Sequence, residues 1–177
     1  NGISGIGTGF SCSIAPYNPK TIIDYLQRKL ENKPVDAIEF IPYYEGFKGT
    51  VEKLQDNKYL IKGCYEIEND TVRITELPVG SWTMPYITYL ETLMDGGTDK
   101  AGKRVAPSIK DFTSVCTEVM VDIKVVFPRG KVEELTSTVD NNGYTALEKL
   151  LKLQTTISAT NMHMFNSECK LHKYETV

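Results

Sequence analysis

The apolar residues change their spacing near Phe47, and this change constrains the fold more than any other feature of the sequence. Before it, apolar residues recur at the three- and four-residue intervals of one helix face. These residues are Ile22, Ile23, Leu26 and Leu30. Asn18 offers an N-cap side chain, and Pro19 suits the first helical position. The pattern predicts a helix over about 19–31, which Pro34 prevents from continuing.

From Phe47 onward, apolar residues alternate with polar ones, which is the pattern of β-strands. Pairs of Asn and Asp, typical turn residues, separate the alternating segments. These segments are 50–54, 59–61 and 71–75. They predict a three-stranded antiparallel meander over about 47–76.

The rest of the chain predicts shorter elements. Thr83 is a candidate cap for a helix that ends near Gly96 and Gly97, and a mobile loop is expected over 97–110. Alternation of Val119, Val121, Ile123 and Val125 predicts a strand over 115–127. Short helices at 131–136 and 144–150 and strands at 161–165 and 170–174 follow. The predicted fold class is α+β, a mostly antiparallel sheet with flanking helices.

Charge and cysteine usage argue against several classes of site. The net charge of −3 argues against a uniformly basic nucleic-acid-binding domain, although residues 1–23 contain Lys20 and no acidic residue. Four cysteines lie far apart without a C-x-x-C pair, and with two histidines we expect free thiols in a reducing compartment and no zinc site. No apolar run is long enough to span a bilayer, so no membrane partner is expected. Because Asn1 begins the chain inside a glycine-rich stretch, we expect an internal piece of a longer protein.

Signals for catalysis within the chain are weak. Residues 9–13 resemble a nucleophile elbow but lack its final glycine. A Ser-His-Asp site therefore stays open without being favoured. Glu66, Glu68 and Asp70 could bind a divalent ion from one strand face, although a solvated strand end is the preferred interpretation. No Walker A motif is present, so no P-loop site for ATP is expected.

Glycines at positions 2, 5, 7 and 9 exclude a stable helix over 1–13, because each glycine costs about 1 kcal/mol there. The segment is predicted to be a loop or an irregular strand whose backbone approaches a ligand closely. It matches the dinucleotide fingerprint only in part, since Phe10 replaces the third glycine and the helix begins later, at Pro19. A nucleotide-binding module that uses the glycine-rich loop stays as an alternative.

Ile6 lies between Gly5 and Gly7 in a stretch without acidic residues. An aliphatic side chain on a closely approaching loop is what a DNA wedge requires, because it is inserted between base pairs and kinks the duplex. Glycine neighbours let backbone N–H groups reach phosphates without obstruction. The alternative is a core residue in a glycine-rich turn. Residue type alone favours that alternative, since isoleucine is commonly buried.

Six motifs, in order along the chain, resemble those of eukaryotic-type type IIA DNA topoisomerases. Residues 1–11 are similar to the G-I-G-T-G-W/F-S stretch of that family. The others are 14–19 (I-P-x-x-N/D-P), 47–50 (F-K-G-T), 76–83 (E-L-P-V-x-x-W-T), 152–165 (K-L-Q-T followed by N-M-x-x-F) and 172–174 (K-K-Y). The matches extend from end to end, so the resemblance covers the whole chain.

The resemblance implies that the chain is the tower region of the DNA gate, which binds and bends the gate duplex for double-strand passage. Residues 1–18 would be a glycine-rich DNA-wedge segment at the junction of the winged-helix and tower domains. Residues 19–177 would be the tower domain. A purely structural spacer within the same enzyme stays as an alternative.

The resemblance also implies the site residues. Ile6 falls on the isoleucine with which the family intercalates DNA, and this reverses the preference for a buried Ile6. The expected DNA-binding residues around it are Gly5, Gly7, Thr8 and Ser11. Lys103 and Arg104 are further candidates, for the outer arms of the bent DNA, although they match no family motif.

The parent enzyme implied by the resemblance is an ATP-dependent homodimer that uses Mg²⁺ and acts on double-stranded DNA inside the cell. Its nucleophilic tyrosine follows an arginine, and none of the ten tyrosines here does. We therefore expect no catalytic residue, metal or cofactor in this segment, and no activity of the segment alone. Localisation would be the nucleus for a cellular enzyme, or the host cytoplasm or virion for a viral one.

Several positions depart from the family pattern. Phe10 replaces the more usual tryptophan, Ala15 interrupts the I-P step, and Gly80 stands where many cellular enzymes have a basic residue. The stretch 97–106 is also unlike the animal enzymes. These departures predict a divergent eukaryotic-type enzyme from a large DNA virus.

Overall fold

The computed structural model describes residues 2–96, 106–140 and 143–175. The helices are α1 (Pro19–Leu30), α2 (Thr83–Asp95), α3 (Lys131–Ser137) and α4 (Ala146–Leu150). The strands are β1 (Ile3–Ile6), β2 (Ser11–Ile14), β3 (Thr50–Gln55), β4 (Lys58–Lys62), β5 (Cys64–Glu68), β6 (Thr71–Glu76), β7 (Asp111–Ser114), β8 (Ile123–Val126), β9 (Gln154–Ser158), β10 (Met162–Phe165) and β11 (Leu171–Tyr174).

Strand pairing confirms the predicted fold class, α+β with antiparallel sheets. The sheets have the strand orders β1-β2, β10-β11, β3-β4-β9 and β5-β6-β8-β7. Every pair whose register is defined is antiparallel. Neighbours in the chain form most of these pairs through short turns, and β8 is inserted between β6 and β7.

The chain forms two compact units. Unit 1 comprises Asn1–Gly46, Val51–Leu60 and Thr156–Val177, and unit 2 comprises Phe47–Thr50 and Ile61–Thr155. The chain passes from one unit to the other between Gly46 and Phe47 and again within β3, β4 and β9. The predicted division into residues 1–18 and 19–177 separates the expected DNA-wedge segment from the expected tower domain. It was not based on compactness, and it stays a prediction.

Unit 2 contains the main hydrophobic core. Two cross-strand pairs of buried aliphatic residues, Val72 with Val125 and Ile74 with Ile123, join β6 to β8. Leu90 of α2 is fully buried in the same core. Each such side chain stabilises the fold by about 1.5–3 kcal/mol relative to exposure. This sheet face and the helices on it therefore supply most of the apolar burial.

Unit 1 consists of two hairpins, β1-β2 and β10-β11, together with α1 and parts of other strands. Helix α1 begins as predicted: Asn18 Oδ1 accepts a hydrogen bond of 2.9 Å from the backbone N–H of Lys20, and Pro19 is the first helical residue. It ends at Leu30, one residue before the predicted end, and has no buried side chain. The local signals at Asn18-Pro19 were therefore sufficient for this helix.

The segment 47–76 differs from the predicted three-stranded meander. It contains four strands, β3 to β6, which belong to two different sheets. Gly63 separates β4 from β5, and a Cβ there would lie 2.3 Å from the carbonyl oxygen of Glu76. Alternation along a chain does not encode which strands pair, so the prediction merged two sheets into one.

The predicted strand over 115–127 is wrong in its first half. Strands β7 and β8 flank a connection over 115–122 instead. Val119 is 96% exposed in that connection, and the N–H of Thr117 donates to the carbonyl of Met120 at 2.8 Å to close a turn. An apolar residue in a turn followed the alternating pattern by chance. Strands β7 and β9 were both absent from the prediction.

The predicted cap of α2 is also wrong. The N-cap residue is Trp82 rather than Thr83, and it makes no side-chain cap hydrogen bond. The helix ends at Asp95, next to Gly96, as predicted. The short helices α3 and α4 and the hairpin β10-β11 lie within two residues of their predicted positions.

The mobile loop predicted over 97–110 lies largely outside the described residues, which exclude 97–105. Its last residues are packed and hydrogen-bonded to the rest of the fold. Ile109 is 1% exposed, and the N–H of Lys110 donates to the carbonyl of Val126 at 2.8 Å. Among the described helices, the longest has 13 residues, whereas a helix that crosses a membrane needs about 20 apolar residues; none qualifies as a membrane span.

Candidate functional site

The glycine-rich segment forms a regular β-hairpin, not the predicted loop or irregular strand. The antiparallel register of β1 and β2 pairs Ile6 with Ser11, and residues 7–10 connect them. The N–H of Gly7 donates to the carbonyl of Phe10 at 2.9 Å and closes the connection. Gly9 has a φ of 95°, a backbone angle that residues with a side chain rarely adopt. Hydrogen bonding between the two short strands gives this segment a regular conformation, which its glycine-rich sequence alone did not predict.

Ile6 is the last residue of β1 and is 93% exposed. An aliphatic side chain so exposed has lost nearly all the stabilisation that burial would bring. The core interpretation of Ile6 is therefore wrong. Its neighbours Gly5, Gly7 and Thr8 are exposed as well.

Three serine hydroxyls lie on the same face of the hairpin as Ile6. Residues two apart on a strand share a face, so Ser4 lies on the Ile6 side of β1, and Ser11 and Ser13 lie on the corresponding side of β2. Ser4, Ser11 and Ser13 are exposed. Of these, sequence reasoning named only Ser11. Ser4 and Ser13 can be recognised only once the segment is known to consist of paired strands, because residues two apart on a strand share a face.

Asn161 and strand β10, which begins at the next residue, form hydrogen bonds with β2 of this hairpin. The N–H of Ser13 donates to the carbonyl of Asn161 at 2.8 Å, and Asn161 Nδ2 donates to Ser11 Oγ at 2.8 Å. Cys12 Sγ donates to the carbonyl of His163 at 3.2 Å. Because Asn161 occupies an acceptor position of Ser11, the Ser11 hydroxyl retains its own proton for a further acceptor such as a phosphate oxygen.

The electrostatic surroundings of the hairpin suit an anionic ligand. Residues 2–23 contain no acidic side chain, and Lys20 is exposed at the start of α1. Lys103 and Arg104, the two other predicted contacts, lie outside the described residues. The part of the site that the structure describes is therefore an exposed aliphatic tip with hydroxyl donors.

The rival arrangements find no support in the geometry. The glycines open a hairpin rather than a helix, and the dinucleotide fingerprint requires a helix N-terminus. Ser11 is hydrogen-bonded to Asn161 rather than to a histidine. Glu66 and Glu68 are exposed on β5, and Asp70 accepts from the N–H of Gly130 at 2.8 Å. Within the described residues no cluster of three metal-ligating side chains occurs.

Two buried tyrosines are poorly suited to act as nucleophiles. The hydroxyl of Tyr86 donates to the carbonyl of Leu151 at 2.6 Å, and burial raises the pKa of Tyr86. Burial, with smaller contributions from Tyr59 and Tyr44, raises the pKa of Tyr17 to about 12. Both phenols therefore stay protonated at neutral pH, which does not favour nucleophilic attack.

Comparison with known proteins gives consistent matches along the chain. A family model that describes the A-type subunits of DNA gyrase/topoisomerase IV matches residues 1–177. The chain belongs to this family of type II DNA topoisomerases. It is 40% identical over 179 residues to DNA topoisomerase 2 of Bombyx mori, which covers 100% of the chain and 10% of that protein.

Two further matches extend the comparison of this topoisomerase chain. It is 31% identical over 227 residues to DNA topoisomerase 2 of Acanthamoeba polyphaga mimivirus, which covers 99% of the chain and 17% of that protein. The crystal structure of the Plasmodium falciparum topoisomerase II DNA-binding, cleavage and re-ligation domain matches with a TM-score of 0.83 and 34% identity, over 99% of this chain and 22% of that one. The family resemblance drawn from the six motifs is confirmed. The chain spans between a tenth and about a sixth of the curated relatives named here.

Proposed function

We propose that this chain is the DNA-gate segment of an ATP-dependent type II topoisomerase, and that it binds and bends the gate duplex for double-strand passage. The observation that supports the proposal most directly is Ile6, 93% exposed at the tip of a glycine-rich hairpin. Family membership supplies the DNA substrate, because the Plasmodium falciparum domain matched above is described as DNA-binding.

In this proposal the side chain of Ile6 is exposed in the free chain and becomes buried when DNA is bound. Inserting Ile6 between base pairs costs a few kcal/mol of unstacking, which is offset when the bent duplex contacts more protein surface. The side chain also leaves water for the apolar interior of the stack. Gly5, Gly7, Thr8 and Ser11 lie around it, where backbone N–H groups and hydroxyls donate to phosphates. The other two predicted contacts, Lys103 and Arg104, would extend this surface to the arms of the duplex.

The parent enzyme in this proposal is an intracellular homodimer that supplies the remaining chemistry. Residues 1–18 form its wedge segment and residues 19–177 its tower domain. The nucleophilic tyrosine, the Mg²⁺ site and the ATPase lie in other parts of the enzyme, so this segment alone is inactive. The proposal of a large DNA virus as the source, with cytoplasmic or virion localisation, rests on the departures from the family pattern. A cellular source would place the enzyme in the nucleus.

The test compares Ile6→Ala with the unchanged chain on a short duplex that contains 2-aminopurine at a central step. Binding of the unchanged chain is expected to raise 2-aminopurine fluorescence, because the base becomes unstacked. Ile6→Ala is expected to abolish that rise and to weaken binding by about 1–2 kcal/mol, roughly tenfold in Kd, from lost apolar burial. End-to-end energy transfer across the duplex measures bending in the same samples.

Two variants control for loss of an apolar group. Leu30→Ala removes a side chain that is 84% exposed on α1 of the same unit, and it is expected to bind like the unchanged chain. Ile6→Met is expected to restore unstacking, because an unbranched apolar chain still fits between bases. Equal unstacking and bending by Ile6→Ala and the unchanged chain would sink the wedge assignment and favour a structural spacer.

A further inference from the structure

The hairpin β10-β11 presents a second exposed apolar surface in unit 1. Its register pairs Phe165 with Leu171 next to the turn, and His163 with Lys173 one step further along that face. Residues two apart share a face, so these four side chains lie together. Phe165 is 70% exposed and Leu171 is 45% exposed. The opposite face includes Met162, which is 2% exposed and anchors the hairpin.

Contacts between β2 and β10 determine the direction of both tips. Ser13 is bonded to Asn161, and the next residue towards the first tip, Cys12, is bonded to His163. Residue numbers fall towards the tip along β2 and rise towards the tip along β10. The tip of β1-β2 and the tip of β10-β11 therefore lie at the same end of the pair.

An aromatic contact joins the two tips into one surface. The ring of Phe10, which is 47% exposed beside the wedge, lies 6.3 Å from the ring of His163, centroid to centroid. His163 belongs to the face that also holds Phe165 and Lys173. The exposed surface thus continues from Ile6 and Phe10 to the second hairpin without leaving unit 1.

Charge and chemistry indicate the occupant of this surface. Lys170 is in the turn with its side chain 75% exposed and pairs with Glu168 at 2.9 Å, while Lys173 has no ion pair among the described residues. Apolar side chains interleaved with lysines match a nucleic-acid strand, in which apolar sugar and base surfaces alternate with phosphates. A wedge that kinks the duplex from the minor groove leaves that groove open beside it.

We propose that the β10-β11 hairpin is a second DNA-binding element of this chain. Phe165 and Leu171 pack against sugars and base edges next to the step that Ile6 opens, and Lys173 contacts a phosphate. The inference rests on the proposed function, since it assumes that Ile6 is bound to DNA. It adds a contact that stabilises the bent form after the wedge is inserted.

The experiment measures duplex affinity by fluorescence anisotropy at several KCl concentrations for the 177-residue chain. Phe165→Ala combined with Leu171→Ala is expected to weaken binding roughly fivefold or more, the lower end of what a lost aromatic contact with a nucleotide costs. Lys173→Gln is expected to reduce the slope of log K against log salt by about 0.9, the value for one phosphate contact. Leu30→Ala and Lys33→Gln, on exposed positions of the same unit, are the matched controls and are expected to change neither quantity.

Ile6→Ala, measured in parallel, separates the two proposals. If Ile6→Ala loses unstacking while both second-hairpin variants bind like the unchanged chain, the second element is refuted and the wedge stands. That result would assign the apolar tip to contact with another polypeptide segment instead. If the unchanged chain does not bind duplex DNA at all, the proposed function fails, and this inference fails with it. Loss of helical circular dichroism in the double variant would indicate a folding defect. In that case Phe165→Leu, provided that it keeps the fold, replaces the double variant in the comparison.

Discussion

At the residue scale, the glycines have two different reasons for being glycine. A Cβ at Gly49 would lie 2.0 Å from the carbonyl oxygen of Lys62, and a Cβ at Gly63 would meet Glu76. Packing requires both of these glycines. A Cβ at Gly5, next to Ile6, would meet nothing within 4 Å. The structure of the chain alone therefore does not require Gly5, which leaves space there for a bound ligand.

A single ion pair gives unit 2 an acid-sensitive contact. Arg73 on β6 donates from Nε and Nη2 to the two carboxylate oxygens of Asp122, each at 2.9 Å. The hydrogen bond from Arg73 is the largest cause that holds the pKa of Asp122 below its usual value. Since the folded pKa is depressed, the stabilisation is fully present above the unfolded value of about 3.9 and is lost as pH falls through the folded value.

We expect Asp122→Asn to lower the free energy of unfolding at pH 7 and to have a smaller effect at pH 3. The reason is that the carboxyl of Asp122 binds a proton more readily in the unfolded chain than in the folded one, so part of the stabilisation is already lost at pH 3. Urea unfolding of both proteins at the two pH values measures the difference. Asp111→Asn, an exposed carboxylate on β7, is the control. A difference that stays constant from pH 7 to pH 3 would contradict this account.

At the element scale, helix ends are determined by a few polar side chains. Helix α4 begins with a capping box: Thr145 Oγ1 accepts from the N–H of Glu148 at 3.1 Å, and Glu148 Oε2 accepts from the N–H of Thr145 at 3.0 Å. Glu148 is 7% exposed, and its other oxygen lies 3.7 Å from Lys62 Nζ. The cap therefore joins a short helix to Lys62, the last residue of β4, within the same unit.

Thr145→Ala is expected to lower the free energy of unfolding by about 1 kcal/mol, because the N–H of Glu148 loses its side-chain acceptor. Thr145→Ser keeps the hydroxyl and is expected to stay within about 0.5 kcal/mol of the unchanged chain. Urea denaturation followed by circular dichroism measures both. Equal destabilisation by Ala and Ser would point to the lost methyl group rather than the cap.

At the scale of the whole molecule, apolar burial is distributed unevenly between the units. The buried core cluster, which includes Ile74, Leu90 and Phe127, belongs entirely to unit 2. In unit 1, α1 has no buried side chain, and Ile6 and Leu30 are almost fully solvated. Elements that bind partners are drawn from the less stable parts of a fold. The uneven burial is consistent with a supporting unit and a contacting unit.

Hydrogen exchange is expected to follow this division. Backbone amides of β6 and β8 are expected to exchange more slowly than those of β1 and β2, because β6 and β8 are interior strands of a sheet with a buried face. Mass spectrometry of exchange time courses makes the measurement. Leu90→Ala, expected to cost about 2–5 kcal/mol, should accelerate exchange in β6 and β8. Equal protection of both hairpin and core amides would contradict the division.

The sequence by itself determined the local elements and the family. Asn18 and Pro19 specified the start of α1, and Asn and Asp marked most turns, because caps and turns depend on side chains a few residues apart. The six motifs identified the type II topoisomerase family for the same reason. A short run of residues can be recognised in the sequence without knowing which residues it contacts in the fold. Ile6 and its glycines were found as a candidate site in this way.

Only the tertiary structure decided which strands pair and which apolar side chains remain in solvent. Val119 fitted a strand pattern yet lies exposed in a turn, and Ile6 fitted a buried turn yet lies exposed at a tip. Phe165 belonged to a family motif and a predicted strand, but its place on an exposed surface became visible only once β10 was found beside β2. Burial is a property of residues brought together from distant parts of the chain, whereas periodicity records only neighbours. For that reason the sequence could name Ile6 as a candidate wedge, and the fold was needed to show that its side chain is exposed.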